Sequence, residues 1–99
     1  MGIIMFHGAD CPHCHAMMPL VDKLEKEGKI RIEKKEVWHD EKNADEMRSH
    51  QKIIAPACGG DLGVPCFFSN KTKNAFCGEV SYKELREWAV KNSYRESQK

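Results

Sequence analysis

The apolar positions of this chain fall into short runs separated by charged or glycine-rich stretches, and their spacing predicts the elements. "GIIMFH" at 2–7 is a continuous apolar run of strand length, expected as a fully buried strand. The turn "GAD" follows. A helix is expected from near Cys11, because Pro12 suits a first helical position, where its missing N–H is not needed. Ala16, Met17, Leu20, Val21 and Leu24 then repeat at i, i+1, i+4, i+5 and i+8, one apolar helical face. Gly28 is the expected stop, and Pro19 is expected to kink the helix.

"KIRIEKKEVW" at 29–38 reads as a second strand through the alternation of Ile30 and Ile32. "NADE" at 43–46 has the spacing of an N-cap with a glutamate three residues on, which predicts a second helix to about Ile54. "APACGGDLG" at 55–63 reads as loop by composition. "VPCFFSN" and "NAFCGEV", joined around "NKTK", predict a hairpin. If Ser69 pairs with Asn74, Phe67 faces Phe76 and Cys66 faces Cys77. "SYKE" at 81–84 is a capping box that opens a last helix, with Leu85, Trp88 and Ala89 on one face. The order is βαβαββα. A strand–helix–strand start implies a right-handed crossover and parallel neighbours. The expected fold is therefore α/β, one domain over 1–99, with a four-stranded mixed sheet flanked by three helices.

Ninety-nine residues suffice for one modest core, with roughly 65% of the unfolded surface buried. A net charge of +1 argues against a nucleic acid or an anionic membrane as partner. The apolar runs are too short to span a bilayer. "GIIMF" is also too short for a signal-peptide core, and no basic segment precedes it. Five cysteines, Cys11, Cys14, Cys58, Cys66 and Cys77, are an odd and unevenly spaced set, a poor disulfide framework for a secreted domain. Cytoplasmic residence is expected, or an extracytoplasmic one if a leader has been removed.

The candidate chemistry sits in "CPHCH" at 11–15. Three chemistries use this spacing: a redox dithiol, covalent haem attachment and part of a zinc site. Haem would need His15 as axial ligand and a distal methionine, for which Met47 is the candidate. Zinc would need four ligands, from Cys11, Cys14 and then His15 or Cys58, yet no second C-x-x-C or H-x₃-H exists. The bland reading is two inert core thiols. The redox reading has the context that supports it, a strand before the motif and a helix opening at it. A thiolate is the nucleophile, a free thiol has a pKa of ~8.5, and a helix N-terminus favours the anion. Cys11 would lead, Cys14 would lie one turn in and more buried, and His13 between them would favour the thiolate further. A stabilised thiolate makes the disulfide form a better oxidant.

"CPHC" after "GIIMFHGAD" resembles the active site of the thioredoxin superfamily. Pro19, five residues after the second cysteine, matches that family's helix-kinking proline, and "GVPCFF" resembles the segment of its cis-proline. The short N-terminus looks like glutaredoxin, and the Pro-His dipeptide like that of the bacterial periplasmic disulfide oxidant. The resemblance implies a minimal thioredoxin fold and thiol–disulfide exchange. It implies that Pro65 is the cis-proline, blocking metal capture at the thiols, and that the Val64 backbone pairs with substrate. The expected cofactor is none beyond the redox-active Cys11–Cys14 disulfide, with glutathione as a candidate co-substrate. The expected partners are protein disulfides and dithiols, with a reductase or glutathione as electron donor, the protein acting as a monomer. The competing class is a non-catalytic zinc-binding or partner-binding module on the same fold.

Other residues carry weaker signals. His7, at the end of the first strand, is a candidate for proton transfer to the leaving thiol, or else a satisfied polar residue at a strand end. Cys58 is a candidate third thiol near the active site. Cys66 and Cys77 read as small apolar residues in a reduced sheet, with a cross-strand disulfide as the alternative. His39 and His50 read as surface residues, Trp38 and Trp88 as core or core edge, and Lys23 to Glu36 as a solvated face.

Overall fold

A computed structural model of the protein describes residues 3–28 and 30–92. The elements are β1 (Ile3–His7), α1 (Pro12–Gly28), β2 (Ile32–Glu36), α2 (Glu41–Ser49), α3 (Gln51–Ala57), β3 (Cys66–Ser69), β4 (Asn74–Cys77) and α4 (Tyr82–Asn92). They build an α/β fold on one open four-stranded sheet of order β2-β1-β3-β4. β1 runs parallel to β2 and antiparallel to β3, and β3 and β4 form the hairpin. The sheet is mixed, as expected.

β1 is central, and Ile3 to Phe6 are all buried. A continuous apolar run suits such a strand, because both its faces are covered. Alternate residues divide between two cores. Ile3, Met5 and Phe67 pack with Cys14, Met17, Val21 and Leu24 of α1 and with Leu85 and Ala89 of α4. Ile4, Phe6, Cys66 and Phe68 pack with Met47 of α2 and Ile54 of α3. β2 is an edge strand, with only Ile32 fully buried, which is why its polar positions read so weakly as strand.

The expected hairpin register is the observed one: Cys66 opposite Cys77, Phe67 opposite Phe76, Ser69 opposite Asn74. The capping box also forms. Ser81 Oγ accepts from the Glu84 N–H, and Glu84 Oε1 accepts from the Ser81 N–H, both at 3.2 Å. At the far end of the hairpin, buried Asn92 accepts on Oδ1 from Thr72 Oγ1 and Asn74 Nδ2, each at 2.8 Å.

Among the described residues four helices stand where three were expected, and the order is βαβααββα. The expected second helix is two. His50 leaves helical geometry (φ −107°, ψ 19°), and its ring stacks on Phe68 with centroids 4.2 Å apart. The chain turns there, and α3 runs along β4. The cap of α2 is Asp40, not Asn43: Asp40 Oδ1 accepts from the Asn43 N–H at 3.0 Å. Residues 55–57 are helical rather than loop, because the helix is closed only by Gly59 and Gly60, at φ +86° and +112°. Trp38 is not core: it is 51% exposed, lying over Gly8. His50 is half-buried rather than a surface residue.

Candidate functional site

The end of β1 leads through Gly8, Ala9 and Asp10 into α1, and the first turn is closed there. The Cys11 N–H donates to Gly8 O at 3.1 Å, and the His15 N–H donates to Cys11 O at 3.0 Å. Cys11 thus occupies the cap of a 17-residue helix. Its sulfur does what a capping oxygen does elsewhere: Sγ accepts from the Cys14 N–H at 3.1 Å. An amide aimed at sulfur from a helix N-terminus is the contact that a thiolate accepts best.

Cys14 joins the apolar stripe with Met17, Val21 and Leu24, and is wholly buried. Burial, then the hydrogen bond to Cys11 and its charge, push the Cys14 thiol up to about 12. The two sulfurs are therefore chemically unequal. Cys11 is more buried than the sequence implied, at 4% exposed.

A groove of about 670 Å³ next to the motif is lined by His13, Val64, Pro65, Gly78, Glu79 and Val80 among others, though by neither cysteine. The Val64–Pro65 peptide is cis, as expected. The groove therefore joins the residue between the cysteines to the segment before β3 and the turn after β4. Pro12 and His13 are exposed, and His13 Nδ1 lies 2.9 Å from Glu79 Oε1. Val64 packs against both cores.

His15 Nε2 lies 2.6 Å from Ala9 O, so that nitrogen carries the proton and donates to the carbonyl. This contact leaves Nδ1 as the unprotonated ring nitrogen. His7 is half-buried beside Glu36 in the register of β1 and β2. Burial holds it below the ordinary histidine value, with Glu36 opposing. Among the described residues no hydrogen bond joins its ring to either sulfur of the motif.

Glu36, expected on a solvated face, orders the loop before Cys11. Its carboxylate accepts from the N–H groups of Ala9 (2.9 Å), His39 (2.8 Å) and Trp38 (3.1 Å). Those bonds outweigh desolvation and hold its carboxyl below the usual range. His39 in turn meets exposed Asp10 at 3.2 Å. The alternating charges of "IEKKE" hide Glu36. Nothing in the run "FCGEV" names Glu79 as the partner of His13.

Cys58 does not stand with Cys11 and Cys14. It ends α3 on the opposite face of the sheet, in the core that holds Cys66 and Cys77. It is joined to Cys77 by a disulfide, with Cα atoms 5.1 Å apart. Cys77 is thus not reduced, and its partner is not the residue that faces it across the hairpin. Cys11, Cys14 and Cys66 are free, and burial pushes the Cys66 thiol up to about 12. No helix among the described residues is long and apolar enough to cross a membrane. Comparison of the chain with protein-family models and with curated proteins returns no match.

Proposed function

We propose that the protein is a thiol–disulfide oxidoreductase on a glutaredoxin-like minimal thioredoxin fold, exchanging a Cys11–Cys14 dithiol with protein or small-molecule disulfides. The observation that carries this reading is the Cys14 N–H aimed at Cys11 Sγ at the start of α1, with the groove of Val64 and Pro65 beside it.

Cys11, as thiolate, attacks one sulfur of the substrate disulfide. A Cys11–substrate bond forms, and the other half of the substrate leaves as thiolate. Cys11 then carries no charge, which removes one of the causes that hold the proton on Cys14. Cys14 attacks Cys11 Sγ, its proton passing to the departing substrate sulfur. Two electrons have then moved from the dithiol to the substrate, leaving Cys11–Cys14 oxidised. The same steps run backwards oxidise a dithiol. Val64 and Pro65 form the wall against which an extended substrate chain lies, and His13 faces it from the helix side.

The experiment is dithiol-dependent reduction of insulin by metal-free protein, with Cys11→Ser as control. Turnover by the wild type and none by the variant is the expected result. Stoichiometric zinc bound at Cys11 and Cys14 with no turnover would instead assign the site to a metal-binding module.

A further inference from the structure

The sheet face away from Cys11 holds a second cluster of sulfurs. Cys66 and Cys77 face each other across the hairpin, and Cys58 is delivered to them from the end of α3. The Cys58 N–H donates to Ile54 O at 2.9 Å and to Ala55 O at 3.1 Å, which fixes that helix end. The three Sγ atoms all lie within 4.8 Å of one another.

We propose that Cys58, Cys66 and Cys77, once the Cys58–Cys77 bond is reduced, bind one thiophilic metal ion, Zn(II) or Cu(I), as three thiolates. Metal–sulfur bonds of about 2.3 Å place thiolates on one ion roughly 4 Å apart, so the cluster needs only small side-chain shifts to close on it. Thiolate sets select these two ions over harder cations. Phe6, Phe68, Ile54 and Met47 belong to the same buried apolar cluster as the sulfurs. The Gly63 carbonyl oxygen lies 3.9 Å from Cys58 Sγ and 3.8 Å from Cys77 Sγ, a polar group on an otherwise apolar side. Three sulfurs satisfy Cu(I) in trigonal geometry, whereas Zn(II) keeps a fourth position for water.

The disulfide is the closed state of this site. A dithiol reductant delivers two electrons and two protons to Cys58–Cys77, yielding two thiols and its own disulfide. Metal binding then releases three thiol protons to solvent. Oxidation by a disulfide rejoins Cys58 to Cys77 and expels the ion. None of these residues belongs to the Cys11–Cys14 site, so the inference stands apart from the proposed oxidoreductase activity.

The test uses the full chain with Cys11→Ser and Cys14→Ser, which silences the other dithiol. The protein is reduced with a phosphine, desalted without oxygen and titrated with Co(II), Zn(II) and Cu(I). The expected result is one ion per chain, with sulfur-to-metal charge-transfer absorption for Co(II) that Zn(II) abolishes, or one equivalent of Cu(I). Cys66→Ala on the same background weakens binding at least tenfold, and the oxidised protein retains no ion. Should the double variant not fold, the same loss is sought between wild type and Cys66→Ala alone. Absence of stoichiometric binding by the reduced protein, or affinity indifferent to Cys66→Ala, overturns the proposal.

Discussion

His13 Nδ1 and Glu79 Oε1 lie 2.9 Å apart although 66 residues separate them in sequence. The pair spans the groove, linking the dipeptide between the cysteines to the turn that follows β4. His13 directly precedes Cys14 and lies two residues after Cys11. His13 and Glu79 are largely exposed, at 69% and 48%, so the pair contributes little to folding, under ~1 kcal/mol. If the proposed dithiol is redox-active, the pair's effect is to be sought in its redox balance.

His13→Gln is therefore expected to lower the reduction potential of the Cys11–Cys14 couple by about 30 mV, a tenfold change in equilibrium constant, because the reduced form loses a favourable charge. Equilibration against glutathione checks this. An unchanged or higher potential would remove His13 from the account.

Gly8 lies under the indole of Trp38, and a Cβ added at Gly8 would overlap the ring. Trp38 is half in solvent and can swing away, so Gly8→Ala is expected to displace the indole and cost about 1–2 kcal/mol. Denaturant unfolding measures the cost, and Trp38 fluorescence in a Trp88→Phe background reports the displacement. In Trp38→Ala the same glycine substitution should cost much less, since the clash has gone.

Cys14 gives a pH dependence of definite sign. Its thiol ordinarily titrates near 9.0, and burial in the reduced fold pushes it up to about 12. Between those values the folded chain holds a proton that the unfolded chain has lost. The stability due to this group is fully present below pH 9.0 and is lost as pH rises toward about 12. Other groups titrate in this window, so the test is a difference. The alkaline loss of stability of reduced protein should be shallower in Cys14→Ala than in wild type, and equal slopes would contradict the burial argument.

Much of this fold is legible in the chain. The apolar run of β1, the hairpin register, the Ser81–Glu84 box and Met17, Val21 and Leu24 of the expected helical stripe are local patterns, whereas Ala16 of that stripe is exposed. The break at His50 is not legible in this way. Neither glycine nor proline marks it, and the ring's position on Phe68 is a contact across 18 residues. The Asp40 cap competes in sequence with the box-like spacing of Asn43 and Glu46, and only the fold decides between them. At the candidate site, the motif singles out Cys11 and Cys14, and the resemblance carried by "GVP" anticipates the cis bond before Pro65. The roles of Glu36 and Glu79 depend on where distant loops meet, which a run of alternating charge cannot encode. The Cys58–Cys77 bond was hidden for a related reason: register identifies which residue lies opposite in the sheet, but not which helix end comes down upon it.

The central claim is that Cys11 leads and Cys14 resolves. It is tested most directly by trapping. Cys14→Ser is incubated at neutral pH with a disulfide substrate, and the adduct is mapped by mass spectrometry. The account predicts one substrate moiety per chain, on Cys11, stable until a thiol is added, while Cys11→Ser captures none at Cys14. An adduct confined to Cys58, Cys66 or Cys77, or capture by Cys14 in the absence of Cys11, would contradict it.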